Sequence, residues 1–321
     1  MTGNQKLKIA YQGYPGAFSH RAVELFAEDV GRQDQVECLS RDSFARVFES
    51  LIKDECEFGV VPLENSSVGS IVTNYDSIWR DPVEMVAEVY QPIHHNLLGI
   101  EGADLNQIKE VYSHPVALEQ CRRFLATLPN AKPVSYWDTS ASAFHVRDTG
   151  DKTKAAIASQ FAARETGLTI LARNVEDHGG NNTRFGVFAK AQASNGNSNS
   201  GSNSGSNSAS NSSSGNTIKR ELENGLAFPY KISIAAELPH EPGTLANLLA
   251  GLSRHGINLT KIESRPIPET PWHYRFFLDL EIASAEQYDA VVKDLQSLSA
   301  KHKLFGRYKS WLEPEARSEK V

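Results

Sequence analysis

Short apolar runs alternate with amphipathic stretches through the first half of the chain. Lys8-Ile9-Ala10-Tyr11 reads as a strand, and Ser19 stands where it would cap a helix whose apolar positions Ala22, Val23, Phe26 and Ala27 recur at helical spacing. A second helix is expected from about Asp42, with Phe44, Val47, Phe48, Leu51 and Ile52 on one face, and then a buried strand at Phe58-Gly59-Val60-Val61. The rhythm repeats with a strand at Ile108 to Tyr112, a helix from Pro115 to Leu128 and a strand at Val134 to Tyr136. A helix after Thr139, a strand at Ala155 to Ala158, a helix after Gln160 and a strand-like run at Gly186-Val187-Phe188-Ala189 follow. Such alternation predicts an α/β domain with a largely parallel sheet, whose ligands bind beyond the carboxyl ends of the strands.

The pattern stops at Ser194 to Asn216, which holds only Ser, Asn and Gly with one Ala. A tract without charges or aromatics buries no core, so a flexible linker over residues 193–226 is expected, free to join two domains without fixing their geometry. It would separate a first domain at 6–192 from a second at 227–313. In the second, Ile232 to Ala236 is a strand, and the helix Thr244 to His255 carries Leu245, Leu248, Leu249 and Leu252 on one face, ending near Gly256. Strands at Asn258 to Glu263 and Tyr274 to Ile282, a helix at Ala285 to Leu298 and a strand near Gly306 to Trp311 complete a βαββαβ order, which is ferredoxin-like.

Polar clusters stand where the first domain's strands end: Gln12 to Ser19, Glu64 to Gly69, Ser113-His114-Pro115, Asp138 to Ala141 and Asn182-Thr183-Arg184. Each alone is an ordinary helix cap or strand start. Five at strand ends in one domain point to a cleft for a small anion, because helix N-termini with hydroxyls beside them bind anions. Asn181 to Phe185 is the most informative run. Arg184 offers a bidentate grip on a carboxylate, and Thr183 a neutral hydroxyl at the mouth of a buried strand. Adjacent His94 and His95 diverge if extended, which disfavours a metal site. Gly13-Tyr14-Pro15-Gly16 lacks the spacing of a dinucleotide-binding loop. Cys121 reads as a small core residue. In the second domain, Gly243 lets backbone approach a ligand, and Glu263-Ser264-Arg265-Pro266 ends a strand with a charged pair.

The chain has 321 residues, 40% hydrophobic and 22% charged, enough for two or three ordinary globular domains. Its net charge of −6, with no basic patch, argues against nucleic acid as partner. No apolar run is long enough to span a bilayer, and the first residues lack a secretory signal. Cys38, Cys56 and Cys121, odd in number and far apart, read as reduced thiols of a cytoplasmic protein rather than a disulfide or zinc framework.

Taken in order, Tyr11 to Ser19, Val61 to Ser70, Ser113-His114-Pro115 with Gln120-Cys121, Asn182 to Phe185, Pro242-Gly243-Thr244-Leu245 and Glu263 to Pro266 match one family. The chain resembles a monofunctional prephenate dehydratase with a C-terminal ACT domain; no helical chorismate mutase segment stands ahead of Lys6. The resemblance implies a catalytic domain of two α/β lobes, as in periplasmic binding proteins, which converts prephenate to phenylpyruvate, water and CO2 without metal or cofactor. It gives Thr183 the departing ring hydroxyl, and places Asn65, Ser66, Gln120, Thr139, Ser140 and Arg184 around the substrate. It implies phenylalanine as feedback inhibitor, bound between two ACT domains of a homodimer or homotetramer. Gly243, Thr244, Leu245, Asn258, Glu263, Ser264 and Arg265 map onto that sensor, with Thr244 where the family's pattern has Ala. Arogenate dehydratases share the Pro15-Gly16-Ala17, Asn65-Ser66 and Asn74-Tyr75-Asp76 stretches, so arogenate is the alternative substrate. A non-catalytic small-acid binding protein is the alternative of another class.

Overall fold

A computed structural model describes residues 6–191 and 214–311. The first lobe holds β1 (Leu7–Gln12), α1 (Phe18–Asp29), β2 (Val36–Arg41), α2 (Phe44–Ile52), β3 (Phe58–Asn65), β4 (Gly69–Ser70), α3 (Val72–Arg80) and β5 (Val83–Pro92). The chain then crosses to a second lobe of β6 (Asn96–Gly99), β7 (Glu110–Ser113), α4 (Pro115–Gln120), α5 (Arg122–Leu125), β8 (Lys132–Ser135), α6 (Thr139–Thr149), β9 (Lys154–Ala158), α7 (Gln160–Thr166) and β10 (Thr169–Ala172). It returns as β11 (Asn182–Lys190). The C-terminal part is α8 (Ser214–Asn224), β12 (Tyr230–Glu237), α9 (Thr244–Arg254), β13 (Asn258–Pro266), β14 (Tyr274–Ile282), α10 (Ala285–Leu298) and β15 (Lys301–Tyr308).

The second lobe is a five-stranded sheet in the order β10-β6-β9-β7-β8. Everything else joins one ten-stranded sheet, β13-β14-β12-β15-β5-β11-β3-β1-β2, with β4 on β3. The sheets are mixed rather than largely parallel. Within the two lobes, parallel pairing is limited to β1 with β2 and β3, and β7 with β8 and β9. The returning strand β11 runs antiparallel to both β3 and β5. Periodicity marks strands but not their direction, which a long return crossing reverses.

Local chemistry places most helix ends. Ser43, Asp138, Ser159 and Ser284 cap α2, α6, α7 and α10 through their side chains, and Gly150 and Gly167 end α6 and α7 in the left-handed conformation. Ser19 caps nothing; α1 starts at Phe18, and Ser19 is buried in its first turn. The helix expected from Pro115 to Leu128 is broken at Cys121. There the Gln120 carbonyl accepts from the Asp177 N–H at 2.7 Å, and the Asp177 carboxylate accepts from the Arg123 N–H at 2.9 Å. A loop from the return crossing thus enters the helical hydrogen-bond ladder.

The linker expectation also changes. Residues 194–213 lie outside the described residues, but 214–224 are helical, with Ile218 in the core of the first lobe beside α1 and β5. The second domain has the βαββαβ order and antiparallel pairing expected of a ferredoxin-like unit. Its position is not free. Ala235, Phe277, Phe305 and Tyr308 share one apolar core with Tyr75, Ile78, Met85 and Phe188 of the first lobe. At the rim the Lys303 ammonium donates to the carbonyls of Ile78 and Asp81 at 2.6 and 2.7 Å, closing the end of α3.

Candidate active site

Thr183 lies inside β11 rather than before it, opposite Asn65 on β3 and Gln91 on β5. It is 7% exposed, and its Oγ1 accepts from Asn65 Nδ2 at 2.9 Å. The other Asn65 amide proton goes to Asn181 Oδ1 at 2.8 Å, and Asn65 Oδ1 accepts from the N–H groups of Ser67 and Val68 at 3.0 Å each. Both Asn65 donors are therefore used inside the protein. Asn65 holds Thr183 in place rather than offering an open amide to a ligand. Among the described residues no acceptor takes the Thr183 hydroxyl proton, which leaves it available to donate.

Ser66 is clipped to the start of β11 in both directions: its N–H donates to the Asn182 carbonyl and its Oγ accepts from the Asn182 N–H, both at 2.9 Å. Across the lobes, a groove of about 850 Å³ is lined by Ser67, Val68, Gln120, Arg122, Arg123 and His178, among others. Gln120 Oε1 lies 3.0 Å from His95 Nε2, which ties the Gln120 amide to the imidazole. His95 is 3% exposed and its Nδ1 has no partner. Burial lowers its pKa, against the opposing pull of Gln120 and Glu176, so the ring is neutral. His94 diverges as expected and pairs with Glu176 at 2.8 Å.

A second bridge between the lobes uses the other expected hydroxyls. Ser140 Oγ donates to the Pro15 carbonyl and Ser159 Oγ to the Gly16 carbonyl at 2.6 Å. Ser140 is 1% exposed, so its hydroxyl latches the lobes instead of lining an open cleft. Thr139 is half-buried beside it in the first turn of α6. The capping Asp138 has its carboxyl pushed up by burial, although the N–H groups of Ala141 and Ser140 act against this.

Arg184 is the clearest correction. Neighbours in a strand face opposite sides, so Arg184 turns away from Thr183 and is 4% exposed. Its Nε donates to Glu88 at 2.8 Å, its Nη2 to the Tyr308 hydroxyl at 2.8 Å, and its Nη1 to Asp279 of the C-terminal domain. Burial alone would weaken its hold on the proton; the charges of Asp279 and Glu88 outweigh that and keep it a cation. All three nitrogens of this buried guanidinium are bonded inside the protein, so it is not open to a substrate carboxylate.

In the C-terminal domain, Gly243, Thr244 and Leu245 open α9 at the same end of the sheet as Glu263, Ser264 and Arg265 on β13. Asn258 lies at the opposite end, bonded to Glu281 at 2.6 Å. Thr244 Oγ1 donates to the Pro239 and Glu241 carbonyls at 3.0 and 3.1 Å. Asn181, His95, Arg122 and Arg123 belong to the site region although sequence reasoning gave them no role. Only Asn181 carried a signal, as part of the run around Thr183. Among the described residues no group of three or more His, Cys, Asp or Glu is placed to hold a metal ion, and no helix is long and apolar enough to cross a membrane.

The prephenate dehydratase family model matches residues 9–193, and the ACT domain model matches residues 232–300. The chain is 33% identical to arogenate dehydratase/prephenate dehydratase 1 of Arabidopsis thaliana, over 88% of this chain and 67% of that protein. Among solved structures it resembles GqqA, described as a novel type of quorum quenching acylase, with TM-score 0.75 and 27% identity over 94% of this chain and 98% of that one. It also resembles the prephenate dehydratase of Arthrobacter aurescens in complex with L-Phe, with TM-score 0.76 and 24% identity over 95% and 90% of the two chains.

Proposed function

This chain belongs to the prephenate dehydratase family, and we propose that its Thr183 hydroxyl, held by Asn65, expels the ring hydroxyl of prephenate. As a member it is a carbon–oxygen lyase with an ACT domain. The reaction breaks the ring C–O bond and the bond to the ring carboxylate. The carboxylate's electron pair enters the ring, CO2 leaves, and one proton is consumed in making water. Aromatisation supplies the driving force, so the protein chiefly needs a donor where negative charge grows on the departing oxygen. The observation that carries this reading is the one-sided hydrogen bonding of Thr183: it accepts from Asn65, and among the described residues nothing takes its proton.

Ser66 and Gln120 are proposed to contact substrate, with Arg122 and Arg123 at the groove supplying the positive charge that Arg184 does not. Asn65 orients Thr183, while Thr139 and Ser140 keep the lobes in register. Acyl hydrolysis, the activity named for GqqA, calls for a nucleophile beside a base. The partner of Thr183 is an amide, which favours dehydration. We further infer that phenylalanine inhibits the enzyme through the ACT domain, that the enzyme is a cytoplasmic homodimer or homotetramer, and that prephenate is preferred over arogenate. The L-Phe complex of the Arthrobacter aurescens protein supports the first. The free cysteines, and β13 at the edge of the ten-stranded sheet, support the second. Phenylpyruvate formation from prephenate, with and without phenylalanine, tests the reading. Turnover of arogenate far above that of prephenate, or of neither, overturns it.

A further inference from the structure

Two facing pairs of strands place four charges across the domain boundary. On β3 and β11, Asn65 lies opposite Thr183, and the next pair along is Glu64 opposite Arg184. Alternation turns the Arg184 pair to the C-terminal domain and the Asn65–Thr183 pair to the opposite face of the sheet. On β13 and β14 of that domain, Lys261 lies opposite Asp279. The charges cross: Lys261 Nζ is 3.2 Å from Glu64 and donates to Ser70 Oγ at 2.6 Å, while Asp279 binds Arg184. Ser70 is itself the partner of Glu64 on β4. Asp279 also accepts from Ser233 at 2.5 Å. The Arg184–Asp279 pair is buried on both sides and shielded from solvent screening, whereas the Lys261–Glu64 pair is buried only at Lys261, with the Glu64 side chain 39% exposed.

We propose that Lys261 and Asp279 are positioning residues for the catalytic pair: they fix Glu64 and Arg184, and thereby the register of Asn65 against Thr183. The inference rests on the reading of Thr183 as the reacting hydroxyl. It gives the ACT domain a share in catalysis itself. A shift of β13 against β14, or of the domain as a body, displaces the back of the strands whose front holds the Asn65–Thr183 bond.

The test uses the full chain with Asp279→Asn, Lys261→Gln and, as a control in the same boundary, Lys303→Met, whose ammonium closes α3 and touches neither strand. Misplacing a reacting group by an ångström costs up to about a hundredfold, so Lys261→Gln and Asp279→Asn are expected to lower kcat about tenfold or more with KM little changed. Lys303→Met is expected to keep kcat. The reversed pair Glu64→Lys with Lys261→Glu should recover part of the loss seen in Lys261→Gln. If Asp279→Asn does not fold, Lys261→Gln and the reversed pair decide alone. Unchanged kcat in both single variants, or an equal fall in Lys303→Met, overturns the proposal. Amide exchange over residues 63–66 and 181–185 provides a readout without turnover: faster exchange in the two variants but not in Lys303→Met supports positioning, and equal exchange refutes it. Absence of turnover in the unaltered chain refutes the functional reading instead, and exchange still decides the positioning.

Discussion

Thr183 and Arg184 are neighbours with opposite surroundings, and substitution separates their roles. Thr183→Ala removes a donor aimed at the departing oxygen and leaves Asn65 short of one acceptor. A general-acid-type contribution is worth about a hundredfold or more, so kcat is expected to fall by at least that factor, about 2.7 kcal/mol, with KM within roughly tenfold. Arg184→Met leaves Asp279 as a buried carboxylate without its cation and Glu88 with Lys231 alone. Breaking a buried pair from one side costs about 3–5 kcal/mol, so this variant is expected to lose its stability first. Steady-state kinetics and urea unfolding on both variants check the contrast. A raised KM at unchanged stability in Arg184→Met would restore the carboxylate-gripping role that the sequence suggested.

Between elements, the loop from β1 to α1 is the tightest joint of the two lobes. Gly16 has φ +82°, and a Cβ placed there would lie 2.6 Å from Ala162 Cα in α7. Gly16→Ala therefore meets both a left-handed backbone, about 1–2 kcal/mol, and a collision that overpacking values put at about 1–3 kcal/mol more. Gly150→Ala, at φ +62° with nothing within 4 Å, meets only the first. Thermal unfolding is expected to show a larger loss for Gly16→Ala, accompanied by a raised KM as the lobes separate; equal losses would mean the joint yields freely. Apolar periodicity located some elements well: the bounds of β14 and α10 agree with the pattern to the residue. It missed the antiparallel return of β11, the break at Cys121 and the helix α8, since each depends on a partner far along the chain. The same applies within the site. Thr183 and Asn65 stood out as polar residues at strand ends, but the face to which Arg184 turns follows from strand alternation only once Thr183 is known to lie inside β11.

At the scale of the whole molecule, the end of the ACT domain proposed to sense phenylalanine touches the catalytic domain directly. Arg265 Nη2 donates to Asp76 in α3 at 2.9 Å, and α3 follows directly on β4, whose Ser70 holds Lys261. The bridge is only part-buried, with side-chain exposures of 23% for Arg265 and 47% for Asp76, so cutting it should cost no more than about 1 kcal/mol of stability. Arg265 has two candidate roles in phenylalanine inhibition: holding the effector, or passing its binding on to α3. Substitution from each side separates them, because Asp76 lies outside the sensor residues. If the bridge transmits, Arg265→Ala and Asp76→Asn both relieve inhibition while phenylalanine still binds, seen as unchanged calorimetric affinity in Asp76→Asn. If Arg265 only holds the effector, Arg265→Ala loses binding and Asp76→Asn remains inhibited like the unaltered chain. The quartet of Lys261, Glu64, Asp279 and Arg184 meets the same β13–β14 ladder further along, at Lys261 and Asp279. We therefore expect the transmitting outcome: an effector that moves the end of β13 pulls on α3 through Arg265 and on the back of the catalytic pair through Lys261.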